Sequence, residues 1–245
     1  MNSRYVLVGI ILAVALAAGV VVFKKQRHVE PPKRIEEEGL KSKGPVDAPV
    51  QIVEYSDFQC PACQLAQAQL DQVMADYAGK VRIIFYHFPL PGHLWSGMVH
   101  QAAECANRTG KFWPYHDRLY KEQKTWSVSL NPAEFFLNYA RDLGLSPDKF
   151  AACLADAQTS RHVMAEKARG ENLQISSTPT FFINGERVVG PVELREKGIN
   201  MIRKGLNLPP LPPAPKTETS QPSPSPGAAS SQGQAPQNSS ASGPS

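Results

Sequence analysis

Two cysteines three residues apart, Cys60 and Cys63, stand where a β-branched run gives way to a helical one, and that junction limits what the chain can fold into. Residues 50–55 (VQIVEY) lie between Pro49 and Ser56-Asp57 and read as a short buried strand. Residues 61–77 carry Leu65, Ala68, Val73 and Tyr77 near helical spacing, and Gly79 closes the run. Residues 81–88 (VRIIFYHF) read as a second strand, stopped by Pro89 and Pro91. Strand, helix, strand in that order is a βαβ unit with a right-handed crossover, so the core is α/β.

The position of the cysteines bears on their chemistry. Pro61 fits the first helical position, which makes Cys60 the N-cap residue. Its sulfur then faces free N–H groups of the first turn, and the positive end of the helix dipole favours a thiolate. A spacing of three brings Cys63 to the same helix face, within disulfide reach. Cys60 is therefore expected as the nucleophile and Cys63 as the shielded resolving thiol, with Pro61 and Ala62 starting the helix between them. The competing reading is half of a zinc site, which needs a second ligand pair. Cys105 and Cys153 are 48 residues apart without companions, and His87, His93, His100, His116 and His162 are scattered as ordinary core or surface histidines. Redox chemistry is the expectation, with no metal and no cofactor.

The rest of the middle adds a helical block over 93–170. One face carries Leu94, Met98, Gln101 and Cys105, and a second stripe, Trp95, Val99, Ala102 and Ala106, runs beside it. Helix starts are expected at Asn131-Pro132-Ala133-Glu134 and at Ser146-Pro147-Asp148. Strands at 180–183 and 186–189 flank Asn184-Gly185, a strong hairpin signal, and an amphipathic helix follows over 191–206.

Three blocks in order give a resemblance. They are Val53-Glu54-Tyr55-Ser56-Asp57-Phe58-Gln59-Cys60-Pro61-Ala62-Cys63, then Gly110-Lys111-Phe112-Trp113, then Ser177-Thr178-Pro179-Thr180-Phe181-Phe182-Ile183-Asn184-Gly185. Together they resemble the DsbA-like family of thioredoxin-fold thiol:disulfide oxidoreductases, over roughly residues 47–205. The resemblance implies a thioredoxin fold with an inserted helical subdomain over about 92–172. It implies a cis Thr178–Pro179 bond packed against the cysteine pair, with the Thr178 backbone open to an extended substrate strand. It places Glu54, six residues before Cys60, where the family has a buried acid that relays protons to and from Cys63 once burial raises its pKa. Ala62 departs from the best-known pattern, which has His there. Lacking that donor, the chain is expected to oxidise less strongly than the strongest members.

Cys105 and Cys153, each on a helix of the inserted block, are either inert core thiols or a structural disulfide, and the disulfide is the expectation. That pairing requires an oxidising compartment. Residues 5–23 carry no charge and nearly span the ~30 Å hydrocarbon layer. They read as an anchor over 1–24, against a cleavable signal ending near Ala15-Leu16-Ala17. Only Arg4 precedes the run, whereas Lys24, Lys25 and Arg27 follow it, which by the positive-inside rule puts the remainder in the cytoplasm. The cysteine chemistry argues the other way and is preferred: cell membrane, single pass, catalytic domain outside the cytoplasm.

Residues 25–46 read as a polar tether and 47–206 as the domain. The Pro/Ser-rich stretch 207–245 reads as a disordered tail, a solvated spacer rather than a polyproline ligand. A net charge of +4 with interspersed signs gives no nucleic-acid footprint. The expected partners are exported, incompletely folded polypeptides and a quinone-coupled membrane oxidase that recharges the disulfide. An isomerase or reductase using the same site is the alternative, and a metal-binding or holdase module a remoter one.

Overall fold

The computed structural model describes residues 41–212. The anchor expected over 1–24, the tether as far as residue 40 and the tail from residue 213 onward lie outside the described residues. Within them no helix is long and apolar enough to cross a membrane.

Strands Val50–Ser56 (β2) and Val81–His87 (β3) pair in parallel from Val50↔Val81 to Ser56↔His87, joined by helix Pro61–Asp76 (α1). Every residue of both strands is buried, as central strands of a covered sheet require. Thr180–Ile183 (β4) runs antiparallel to β2, and Glu186–Val189 (β5) antiparallel to β4. The turn between them holds Asn184 at φ 47° and Gly185 at φ 92°, left-handed values that these two residues accommodate.

A fifth strand, Ser42–Lys43 (β1), pairs antiparallel with β3, so the sheet order is β1-β3-β2-β4-β5. This corrects the tether reading for residues 41–46. Two residues with no apolar pattern become a strand because the edge of β3 offers unpaired backbone groups. Gly44, at φ 94°, then turns the chain away. A Cβ there would stand 2.1 Å from the Val81 carbonyl oxygen, so only glycine fits.

Alternation along β2 sorts its side chains. Val50 and Ile52 pack with Ala66, Leu70 and Val73 of α1, whereas Val53 and Tyr55 face the opposite layer with Ile84, Tyr86, Phe88 and Phe182. Glu54 and Ser56 therefore share the α1 side.

The helical insertion resolves into Ser96–Asn107 (α2), Phe112–Lys121 (α3), the single turn Gln123–Trp126 (α4), Pro132–Asp142 (α5), Pro147–Ala155 (α6) and Ala157–Asn172 (α7). In α2 the buried stripe is Val99, Ala102 and Ala106, while Leu94 lies before the helix and is exposed. The loop after Pro91 runs on to Trp95, whose N–H donates to Gln59 Oε1 at 2.7 Å, and this delays the helix start. Asn131 precedes α5 without a side-chain capping bond. In α7, Gly170 lets the helix lie close on the sheet, since a Cβ would come within 2.7 Å of the Phe88 ring. A helical stretch over 190–205 (α8), with a π turn at Leu194–Gly198, covers the other side. Residues 208–212, read from sequence as the start of the tail, fold back on α8: Arg203 Nε donates to the Pro209 carbonyl at 2.6 Å, and Leu211 N to Asn200 Oδ1 at 2.8 Å.

Candidate active site

Cys60 is the N-cap residue of α1, with extended backbone (φ −76°, ψ 121°) and Pro61 at the first helical position. Both thiols are free. Cys60 keeps 7% of its surface exposed and Cys63 none, so an incoming sulfur can reach only the first. The Cys60 pKa is lowered to about 5, chiefly by the Cys63 thiol, with Thr178 and the N–H groups of Cys63 and Ala62 adding to it against the cost of burial. Burial and the adjacent Cys60 push the Cys63 thiol well above its ordinary value. The asymmetry leaves one thiol poised to ionise and the other holding its proton.

The Thr178–Pro179 peptide is cis, and the Thr178 carbonyl lies 3.5 Å from Cys60 Sγ. Residues 118 positions apart are thus brought together at the N-terminus of α1. Glu54 is fully buried, and neither carboxyl oxygen has a hydrogen bond. Burial raises it to about 7, against a smaller opposing effect of the Ser56 hydroxyl. Cys105 and Cys153 are joined by a disulfide with Cα atoms 5.9 Å apart, tying α2 to α6.

Sequence reasoning missed the polar groups beneath the pair. Asp57, read only as a strand terminator, is fully buried. Its carboxylate accepts from the N–H groups of Gln59 and Leu90 and bonds His93 Nδ1, each at 2.8 Å, and His100 Nε2 faces it at 3.5 Å. Burial alone would raise its pKa, but His100 and the N–H groups of Leu90 and Gln59 hold it well below the usual carboxylate range. Its own N–H points at Cys63 Sγ from 3.5 Å.

The histidines are not scattered in space. His87, His100 and His116 are fully buried around the Phe58 ring, and His87 Nδ1 lies 2.7 Å from His100 Nδ1. A buried ion cluster of Lys41, Glu104 and Glu166 adjoins them. Among the described residues no group of three or more His, Cys, Asp or Glu is placed to hold a metal. Gln123 Nε2 donates to the Phe58 and Cys60 carbonyls, and Gln59 bridges the 95 and 127 loops, so the peptide ahead of Cys60 is held from three sides.

A dithiol on a helix N-terminus, a cis-proline loop against it and a helical insertion over the βαβ unit define the class as a thioredoxin fold with an inserted helical subdomain. The chain belongs to the thioredoxin family, whose sequence model matches residues 38–198. The structure is similar to BdbD from Bacillus subtilis (21% identity, TM-score 0.61, covering 73% of this chain and 96% of that one). It is equally similar to alpha-DsbA1 from Wolbachia pipientis (21% identity, TM-score 0.61, 70% and 94%). In sequence it is 38% identical over 153 residues to part of the Na(+)/H(+) antiporter NhaA 3 of Salinispora tropica, covering 62% of this chain. The match spans 22% of that relative's length.

Proposed function

We propose that the chain is a protein thiol:disulfide oxidoreductase that works outside the cytoplasm, bound to the membrane through residues 1–24, and oxidises cysteines of exported polypeptides. The observation that carries this reading is the split between the two thiols: a depressed Cys60 at a helix N-terminus beside the Thr178 carbonyl, and a proton-bearing Cys63 behind it. A substrate thiolate attacks Cys60 Sγ of the disulfide form, and the electron pair of the broken S–S bond goes to Cys63, which takes up a proton. The second substrate thiolate then attacks the mixed disulfide and releases Cys60 as a thiolate. Glu54 is the acid that supplies and recovers the Cys63 proton, and the Thr178 backbone holds an extended substrate segment. The exposed side chains of Leu94, Val128 and Leu130, on the loops that Gln59 bridges, give incompletely folded chains an apolar surface to lie on. The Cys105–Cys153 disulfide supports an oxidising compartment. A quinone-coupled membrane oxidase is the matching class of recharging partner.

The direction of exchange is tested by equilibrating the dithiol with glutathione. A stabilised thiolate stabilises the reduced form and makes the disulfide a better oxidant. With Ala62 supplying no donor, the potential is expected between about −270 mV, typical of thioredoxin, and about −120 mV, that of DsbA. A value at or below the thioredoxin end defeats the oxidase reading and leaves the reductase one.

A further inference from the structure

Cys63 has no surface of its own, so the proton it gains and loses in each turnover must cross protein. The N–H of Asp57 points at its sulfur from 3.5 Å, and the hydroxyl of Ser56, the last residue of β2, acts on the thiol as a hydrogen-bonding neighbour. A backbone N–H cannot pass a proton on, whereas a hydroxyl can, because it donates and accepts at one atom. Ser56 is fully buried and lies two residues from Glu54 on the same strand, so both side chains fall on the α1 face. The same hydroxyl lowers the Glu54 pKa against the effect of burial, and neither oxygen of that carboxyl has a hydrogen bond in the structure, so the carboxyl is free to take one.

The third neighbour of Ser56 is Tyr120 of α3, whose hydroxyl is 2.9 Å from Ser56 Oγ. Tyr120 is also buried, and burial pushes its pKa well above the ordinary value, so it keeps its proton and is able to donate to Oγ. With Tyr120 donating to Oγ, the Ser56 hydrogen is free to point at the sulfur or at the carboxyl. The other titratable groups around this spot are Cys60 at the N-cap of α1, Asp57 just after β2, Lys43 and Asp71, whose charges act on Glu54, and His87, which is level with Ser56 on β3.

We propose that Ser56 is a catalytic residue of the exchange reaction, the hydroxyl bridge that carries the proton between Cys63 and Glu54, with Tyr120 as the positioning residue that aims it. The inference rests on the oxidoreductase reading. In the closing step, Cys63 Sγ–H gives its proton to Ser56 Oγ as Ser56 gives its own to the Glu54 carboxylate. The Cys63 thiolate attacks Cys60 Sγ, and the bond from Cys60 to the substrate sulfur breaks, the electron pair leaving on that sulfur. In the opening step the same proton returns from the Glu54 carboxylic acid through Ser56.

The test is a single turnover of the reduced full chain with a peptide disulfide made of two fluorescently labelled halves. Release of the first half reports attack by Cys60, and release of the second reports closure by Cys63. Ser56→Ala is expected to leave the first phase in place and slow the second about 10²-fold at pH 7, the scale of a lost general acid–base step. Its second phase should then rise about tenfold per pH unit as hydroxide replaces the bridge. Ser56→Thr, which keeps a hydroxyl, restores the rate, and Tyr120→Phe slows closure by a smaller factor. Because the two residues act in series, Ser56→Ala combined with Glu54→Gln should be no slower than either alone. A second phase that is unchanged in Ser56→Ala at every pH, or slowdowns that multiply in the double variant, overturns the bridge. A wild-type chain with no first phase instead overturns the oxidoreductase reading beneath it.

Discussion

Glu54 shows how much one buried group can change. A carboxylic acid with no hydrogen bond and no exposed surface is held neutral by burial, and its pKa rises from 4.5 to about 7. Between those two values the folded state binds more protons than the unfolded state, so stability falls as pH rises through that window. The displacement corresponds to ~3 kcal/mol. Glu54→Gln is therefore expected to raise the melting temperature at pH 8 and to leave it nearly unchanged at pH 4, while slowing turnover. Thermal unfolding at the two pH values checks this, and equal shifts at both would show that the carboxyl is not charged by pH 8. The position of Glu54 was legible from its distance to Cys60 through the family pattern, but its partner was not singled out. Ser56 shares its strand face by the period of two, a signal present in the sequence and overlooked because Ser56-Asp57 was read as the end of a strand. Tyr120 carries no such signal, for only the docking of α3 brings it to Ser56 across 64 residues.

Among the elements, α2 and α6 depend on a covalent link. α6 has one fully buried side chain, Phe150, so packing alone fastens it weakly. The Cys105–Cys153 bond closes a loop of 48 residues, and removing that loop's entropy from the unfolded chain is worth roughly 4 kcal/mol, an upper figure. Replacing both cysteines by serine should lower stability to denaturant by up to that amount and leave the dithiol's exchange rate intact, since the bond ties α6 to α2 and not to α1. A loss of exchange equal to the loss of stability would mean that the insertion also shapes the site. Helices and strands with strong local patterns, such as β2, α1 and the Asn184-Gly185 hairpin, were legible to within a residue or two. β1 was not, because its two residues become a strand only through the edge of β3. The buried ion cluster was equally hidden: Lys41, Glu104 and Glu166 look like surface charges until α2, α7 and the β1 end converge on His87.

Over the whole molecule, the redox state of one pair is coupled to the stability of the entire domain. Reduced, the folded chain holds Cys60 with a pKa near 5, whereas an unfolded thiol has its ordinary value of 9.0. From pH 5 to pH 9 the unfolded state therefore binds the extra proton, so this contribution to the reduced form is absent at the acid end and grows as pH rises. The oxidised form has no thiol to titrate there, and its short disulfide loop contributes a constant amount. Glu54 is common to both forms and to first order cancels in the difference. The melting temperature of the reduced protein minus that of the oxidised protein should accordingly rise steadily between pH 5 and pH 8, with the reduced form the more stable at pH 8. Calorimetry on both forms of the described domain's full chain across that range measures it, with Cys60→Ser as the control that flattens the curve. If the difference does not change with pH, the thiolate is not stabilised by the fold. If the oxidised form stays the more stable at pH 8, the same free-energy balance that makes a disulfide a donor runs the other way, and this domain reduces its partners instead of oxidising them.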